Sequence, residues 1–346
     1  MDIFKELPSA LLPWYEENKR QLPWREDRDP YHIWVSEIML QQTRVEAVKG
    51  YYSRFLSVYP TVNNLANADD EQLHKLWEGL GYYNRVRNMK KTAGIIANMY
   101  NGQFPKTYNE VLDLPGIGEY TAGAICSIAY DLPTPAVDGN VLRVIARLTD
   151  DDTFIDSPKF KKDVSLKLSK VYPNQAGEFT QALMELGATV CGPNRKPECD
   201  ACPCKDFCIA HQRGTAEALP QKSPKRTRKM EKRTVFILSC EGRYALEKRE
   251  KKGLLAGLWQ FPNVPGTLDV NDALAAIAEM GLQAKEILRT VERKHIFTHI
   301  EWDMTGVYME VREQNERFQW LTGEEINKQA ALPTAFRQFW EEISNV

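Results

Sequence analysis

The stretch Leu114–Val141, LPGIGEYTAGAICSIAYDLPTPAVDGNV, decides how this chain is read. It opens with Leu114-Pro115-Gly116-Ile117-Gly118, in which a proline ends one helix and two glycines follow two residues apart. Glycine adopts positive φ at no steric cost, so the pair describes a tight hairpin between helices. From Tyr120 the run is rich in Ala, Gly and Ile, small and apolar residues that let the next helix pack closely. Such a turn aims unpaired N–H groups outward at a helix N-terminus, where they can hold a phosphate; taken alone, it is also how ordinary helices end. Asp138 follows eighteen residues after Tyr120, directly before another apolar helical run. A phosphate-gripping turn with a carboxylate close behind it is a stronger pattern than either part.

Length and composition bound the rest. A chain of 346 residues holds two or three domains, each able to bury a core. The net charge of −2 gives no global case for nucleic acid, so any DNA surface must be local. Met1-Asp2-Ile3-Phe4-Lys5-Glu6-Leu7-Pro8 is interrupted by charges and proline, unlike a cleavable apolar leader. No run of about 18 apolar residues is present to span a bilayer. The expectation is a soluble cytoplasmic protein, nucleoid-associated if it works on DNA, with no membrane partner. Five of the seven cysteines lie between 191 and 208, which argues for metal rather than a disulfide framework.

Residues 1–22 read as one amphipathic helix with Leu11, Leu12, Trp14 and Tyr15 on its apolar face. Leu22-Pro23-Trp24-Arg25 is an extended entry followed by an aromatic and a cation; by type alone, Trp24 is core filler. Residues 31–49 read as a helix with a long apolar centre, in which Glu37 stands between Ile33-Trp34-Val35-Ser36 and Ile38-Met39-Leu40. Periodicity leaves open whether Glu37 lies on the wet edge or inside. Inside, an apolar setting would favour its neutral form and make a general acid near pH 7. Gln41, Gln42 and Thr43 follow on the next turn, either as surface polar residues or as amides able to enter a base stack.

Residues 76–87, LWEGLGYYNRVR, place two glycines around Leu80. The expectation is a turn that exposes Leu80 and Tyr82, followed by a basic helix with Arg85, Arg87, Lys90 and Lys91. An exposed apolar wedge beside cations unstacks base steps and holds kinked duplex; the plainer alternative is a helix–helix turn with a solvated basic face. Residues 141–190 read as helical. The cysteines then run Cys191-x7-Cys199-x2-Cys202-x5-Cys208, with Cys204 extra. Four thiolates around one central C-x2-C suit a cubane [4Fe–4S] cluster, with zinc second because it usually takes two such pairs. The loop carrying Arg195 and Lys196 can face DNA phosphates. Cys126 and Cys240 read as core residues.

Residues 213–233 change character: seven of the twelve residues from Lys222 to Arg233 are basic, with almost nothing to bury, so this is a linker. From Thr234 the pattern turns to strands over 234–240, 243–249 and 253–262, with helices near Asp272–Met280 and at the end.

These motifs together resemble the helix-hairpin-helix DNA glycosylases, and in detail the MutY adenine glycosylase family. The string Ser36-Glu37-Ile38-Met39-Leu40-Gln41-Gln42-Thr43 matches the family pattern for the catalytic acid and the DNA wedge. Lyase-active relatives such as endonuclease III carry Lys where this chain has Tyr120, and Asp-Thr-His where it has Asp138-Gly139-Asn140. The resemblance implies a monofunctional base-excision enzyme that hydrolyses the N-glycosidic bond of adenine opposite 8-oxoguanine or guanine in double-stranded DNA. Glu37 and Asp138 would be catalytic, with Tyr120 and Asn140 supporting them. Trp24, Arg25 and Gln181 would border the substrate. Gln41, Gln42, Thr43, Leu80, Tyr82, Arg85, Gly116 and Gly118 would meet the duplex.

The last third resembles a Nudix-type α+β domain. Nudix hydrolysis needs G-x5-E-x7-R-E-U-x-E-E-x-G-U, where U is a bulky aliphatic. Registering on Gly281-Leu282 puts Leu274, Ala275 and Ala278 where Arg, Glu and Glu are required, leaving only Glu279. No catalytic magnesium is expected. Phe297-Thr298-His299 matches the family loop that contacts 8-oxoguanine. The expected architecture is multidomain: an all-α helix-hairpin-helix glycosylase over 1–212, a basic linker over 213–233 and a Nudix-like domain over 234–346. The hairpin falls at about 112–126 and the cluster loop at 191–208. One [4Fe–4S] cluster on Cys191, Cys199, Cys202 and Cys208, no nucleotide cofactor and a monomer are implied, although the family's first cysteine gap has six residues and this one has seven. The rivals are an endonuclease III-like glycosylase/lyase for oxidised pyrimidines, which lacks a Lys at 120; a non-catalytic DNA-binding scaffold, whose mark would be loss of Glu37 or Asp138; and a Nudix hydrolase with a DNA-targeting arm, which fails on Ala275 and Ala278.

Overall fold

The computed structural model describes residues 2–193, 196–224 and 227–344; Arg195 and the linker residues Lys225 and Arg226 lie outside the described residues. The chain divides into two compact units, residues 1–67 with 87–224, and residues 68–86 with 225–346. The segment 68–86, which the sequence places within 1–212, packs with the C-terminal unit. That unit contains α5 (Asp70–Leu76) and the turn after it, and the boundary at 86/87 falls inside α6 (Asn84–Met99).

The first unit is helical: α1 (Ile3–Asn18), α2 (Pro30–Leu40), α3 (Val45–Val58), α4 (Val62–Ala66), the rest of α6, α7 (Tyr108–Leu112), α8 (Glu119–Tyr130), α9 (Gly139–Thr149), α10 (Pro158–Ser169), α11 (Ala176–Thr189) and α12 (Ile209–Arg213). Side-chain caps start several of them: Asp29 accepts from Tyr31 N before α2, Thr107 from Glu110 N before α7, and Asp138 from Asn140 N and Val141 N before α9. The single helix expected over 31–49 is two. α2 is buried from Ile33 to Met39, and the polar Gln41-Gln42-Thr43 that follows leaves the core as a turn, with Gln42 at φ 59°. Between α7 and α8 only Gly116 needs a left-handed backbone, at φ 78°; Gly118 caps α8 at φ −102°. The expectation that both glycines supply positive φ is corrected accordingly. A side chain at Gly123 would sit 2.2 Å from the Pro135 carbonyl, so the close approach of α8 to this segment requires glycine.

The second unit holds a mixed sheet of β1 (Lys229–Cys240), β2 (Arg243–Lys248), β3 (Trp259–Gln260), β4 (Asn263–Pro265), β5 (Ala284–Ile296), β6 (Ile300–Val311) and β7 (Gln319–Thr322). The order is β3-β2-β1-β6-β5, with β4 on β1 and β7 on β2. β1 and β6 run parallel, while β5 pairs antiparallel with β6. Along β1 the side chains alternate between two cores. Val235 and Ile237 join Trp302, Phe336 and Phe339, and Phe236 and Leu238 join Met309 and Ile277. α13 (Val270–Glu279) supplies Ile277 to one core, and α15 (Thr334–Ser344) supplies Phe336 and Phe339 to the other, with α14 (Gly323–Gln329) before it. Two expectations are corrected here. The basic segment ends in strand, because residues 229–233 already pair with β6. The strand expected over 253–262 is mostly turn, with Gly253, Leu255 and Gly257 all at positive φ and only Trp259–Gln260 extended.

Gly123→Ala should destabilise the first unit by about 1–3 kcal/mol, because a backbone carbonyl rather than a flexible side chain occupies the space. Gly118→Ala, with ordinary φ and nothing within 4 Å of the added carbon, should cost much less. Urea denaturation of the two variants compares these costs directly.

Candidate active site

A cleft of about 1350 Å³ opens in the first unit. Its wall brings together Trp24, Arg25, Glu37, Gln41, Gln42, Thr43, Gly116, Gly118, Tyr120, Asp138, Asn140 and Gln181, residues scattered over 158 positions of sequence, from 24 to 181.

Glu37 projects from α2 and is 5% exposed. Tyr120, in the first turn of α8, donates its hydroxyl to Glu37 Oε2 at 2.5 Å. Burial raises the Glu37 carboxyl to about 7 against the lowering effect of that bond, and the neighbouring Asp138 raises it further. Asp138 is built differently. Its Oδ1 accepts from Asn140 N at 2.9 Å and Val141 N at 2.8 Å, and its Oδ2 from Asn140 Nδ2 at 2.7 Å. Burial pushes this carboxyl up, while the helix-cap bonds, Asn140 and the Arg143 cation oppose the rise. The cleft therefore holds one carboxyl stripped of water and one wrapped in donors.

Arg20, Arg143, Arg147 and Glu185 also stand in this wall and escaped the sequence reading. Glu185 on α11 is fully buried and accepts from Arg20 N, Arg20 Nε, Arg20 Nη2 and Arg25 Nη2 at 2.6–3.2 Å. It thereby fixes both arginines that flank Trp24. Arg143 donates to Asn140 Oδ1, the Gly187 carbonyl and the Cys191 carbonyl, running from the Asp138 cap to the cysteine loop. A signal for Arg143 did exist: it and Arg147, four residues apart, interrupt an otherwise apolar helix and are both buried.

Cys191, Cys199, Cys202 and Cys208 line one small cavity with Val144, Leu148 and Arg147. Arg147 Nη1 lies 3.2 Å from Cys191 Sγ. Cys204 is fully buried and its thiol is hydrogen-bonded to Cys202. Among the described residues, no three His, Cys, Asp or Glu side chains converge on the position of a single metal ion.

In the second unit the turn after α5 has Gly79 at φ 96°, Gly81 at φ 68° and Tyr82 at φ 46°. Leu80 is 5% exposed and Tyr82 50%, which corrects the expectation that the turn exposes both. The two glycines fold the apolar side chain inward, and the phenol is what the turn presents. Arg85 Nη2 donates to the Leu80 carbonyl at 2.8 Å and braces the turn. Phe297, Thr298 and His299 form the bend between β5 and β6; Phe297 packs on His295 and Trp302, and Thr298 and His299 are exposed. The Thr298 hydroxyl lies 3.5 Å from the Tyr82 hydroxyl. On α13, Ala275 and Ala278 are exposed where Nudix hydrolysis requires glutamates.

Fold and cleft define the first unit as a helix-hairpin-helix base-excision glycosylase. Residues 35–173 match the family described as HhH-GPD superfamily base excision DNA repair protein, and residues 234–342 match the NUDIX domain. The chain is 35% identical to the adenine DNA glycosylase of Rattus norvegicus, over 95% of this chain and 76% of that one. It is likewise 35% identical to the adenine DNA glycosylase of Buchnera aphidicola subsp. Baizongia pistaciae, over 84% of this chain and 82% of that one. A thermostable thymine-DNA glycosylase of solved structure superposes with a TM-score of 0.54 at 28% identity, covering 61% of this chain and 97% of that one. The chain belongs to the adenine DNA glycosylase family.

The raised Glu37 value has a consequence for stability. The unfolded chain ionises this carboxyl near 4.5, whereas the folded chain keeps the proton up to about 7. Below the first value neither state is charged and nothing is lost. The folded state loses stability as pH rises between the two, by about 3 kcal/mol in full. Glu37→Gln should therefore gain on the parent by roughly 1–3 kcal/mol at about pH 8 relative to about pH 4.5, measured by denaturation at both.

Proposed function

We propose that this chain hydrolyses the N-glycosidic bond of adenine paired with 8-oxoguanine, or with guanine, in duplex DNA. The observation that carries the proposal is the pair of unlike carboxyls: Glu37, held near pH 7 by burial, and Asp138, held by an N-cap and Asn140. Such a division of acid and charge stabiliser suits departure of a poor leaving group from an oxocarbenium-like sugar.

Adenine must leave the stack to reach the cleft. Trp24, Arg25 and Gln181 border it there. Glu37 gives its proton to N7, the glycosidic bond breaks, and adenine leaves neutral. Asp138 faces the cationic sugar, by charge or through a transient ester. Water then adds to C1′ and returns a proton to the Glu37 carboxylate, which restores the acid. Tyr120 keeps Glu37 in place and offers no amine for a Schiff base. Gly116 and Gly118 present backbone N–H groups to a phosphate. Gln42, exposed and at φ 59°, and Tyr82 are the groups that enter the duplex, with Gln41 and Thr43 beside the first and Arg85 bracing the second. Leu80 holds that turn from within. Thr298 and His299 meet the oxidised base, whose C8 oxygen and N7 hydrogen distinguish it from guanine.

Cys191, Cys199, Cys202 and Cys208 hold a [4Fe–4S] cluster. Four thiols around one apolar cavity, with an arginine against the first, fit that group. Burial raises Cys191, Cys199 and Cys208 (the last to about 11), so it takes a positively charged core to keep them as thiolates. When bound, the cluster ties the ends of the 191–208 loop together.

Base release from duplexes with adenine opposite 8-oxoguanine, adenine opposite guanine, and thymine glycol tests the activity. Release should occur from the first two only. Glu37→Gln and Asp138→Asn should lose at least about 10²-fold in single-turnover rate while keeping mismatch binding, and a rate within tenfold of the parent would remove Glu37 from its role. Anaerobically prepared protein should contain iron and sulfide. Serine at 191, 199, 202 or 208 should lower the iron content and Cys204→Ser should not; stoichiometric zinc without iron would refute the assignment.

A further inference from the structure

The turn proposed to enter the duplex lies early in the chain, yet it belongs to the same compact unit as the bend proposed to meet the lesion. One side chain accounts for much of that attachment. Glu78, immediately before Gly79, has its carboxylate only 8% exposed. Its Oε1 accepts from Leu332 N at 2.9 Å, in the connection between α14 and α15. Its Oε2 pairs with Arg337 Nη1 at 2.6 Å and with Lys75 Nζ at 2.7 Å. Lys75 in turn donates to the Ala330 carbonyl at 3.0 Å, and Lys248 on β2 pairs with Glu71 on α5. A buried carboxylate bound to two cations and a backbone N–H has almost no freedom to move. The turn it leads into is internally braced, by Trp77 Nε1 to the Gly81 carbonyl at 3.0 Å and by Arg85 to the Leu80 carbonyl. At the far end of this rigid piece, the Tyr82 hydroxyl reaches Thr298.

We propose that Glu78 is a positioning residue for lesion recognition: by fastening the 79–82 turn to the 330–337 segment it makes Tyr82 and Thr298 one reading surface. Neither group then meets DNA alone. The turn can be driven into the duplex fully only when the base beside it also satisfies the 297–299 bend, so the preference for 8-oxoguanine over guanine depends on the fastening. This rests on the assignment of Tyr82, Thr298 and His299 to the lesion, and no part of it concerns the Glu37 chemistry.

The test uses the full chain in three forms: Glu78→Gln, Arg337→Gln, and both together. Arg337 is partly exposed, so its variant gives a folded protein should Glu78→Gln fail to yield one. Single-turnover excision is measured on adenine opposite 8-oxoguanine and opposite guanine, with 2-aminopurine fluorescence next to the mismatch reporting unstacking. The expected result is a fall of about tenfold in the preference for 8-oxoguanine in each single variant and little further fall in the double. The rate on adenine opposite guanine at saturating enzyme should stay within about twofold, and the fluorescence rise on the lesion duplex should shrink. Unchanged preference in the folded variants, or equal loss on both duplexes, would overturn the proposal. Thr298→Ala with His299→Ala separates the two layers. If that pair leaves the preference intact, the lesion assignment itself fails; if it lowers the preference while the Glu78 and Arg337 variants do not, only the fastening fails.

Discussion

Tyr120 reaches Glu37 across the contact between α8 and α2, and a hydroxyl-to-carboxyl bond of 2.5 Å tolerates little separation of the two helices. A carboxyl in the middle of an apolar helix also needs neighbours on all sides to keep water out. Both demands fall on α8. The helix meets them with Ala122, Gly123 and Ala124, all buried, and with Gly123 so close to Pro135 that even one methyl group would not fit. α11 packs against α8 from another side, since a side chain on Gly177 would stand 3.1 Å from the Ile128 backbone. Gly123 and Gly177 are thus two places where the absence of a side chain lets the backbones around α8 come together.

Three acidic side chains near this contact show how one unit maintains different charge states. Glu37 has one donor and few charges nearby, and burial prevails. Asp138 is also buried, but two backbone N–H groups, an amide and the Arg143 cation offset much of the penalty. Glu185 is the opposite extreme: burial pushes it up, and the bonds from Arg20 and Arg25 outweigh that and leave it below the usual carboxylate range. A proton donor and a permanent anion can coexist in one cleft because the protein supplies donors to one and withholds them from the other. Glu185 contributes at one remove, as the anion that lets two arginines stand at the rim of a cleft without repelling each other.

The features legible in sequence were those written in local pattern. Apolar flanks set Glu37 apart without deciding its burial, glycines mark the hairpin, Asp138 precedes an apolar helix, and the run Val235–Leu238 marks β1. What escaped was set by partners far along the chain. Glu185 is 165 residues from Arg20, and Glu78 is 254 from Leu332, and no local pattern distinguishes either from a glutamate on a wet helix face. Leu80 illustrates a different limit. Glycines on both sides announce a turn, but whether the turn shows its leucine or hides it depends on the packing beneath. The basic run ending at Arg233 misled for a related reason, since Lys229–Arg233 gain strand structure only through β6, some seventy residues later.

Every group proposed to break the glycosidic bond comes from the first unit, and the groups proposed to touch the oxidised base come from the second. That separation suits the proposed substrate. Adenine is an undamaged base, so nothing in the base pocket can tell a mispaired adenine from a correct one. In the proposed substrate the information lies on the opposite strand, in one oxygen and one hydrogen. Hydrogen bonds to those two atoms are worth about 1–3 kcal/mol, or roughly 5–150-fold, and this is modest beside the number of ordinary pairs in a genome. A direct contact is more discriminating if it also decides whether a costly step proceeds. Extruding a base costs a few kcal/mol, so a reader fastened to the group that enters the stack lets recognition of one strand gate extrusion from the other. A unit that carries both the 297–299 bend and the 330–337 anchor of the 79–82 turn is suited to that arrangement, whether or not it retains the acidic residues of a hydrolase.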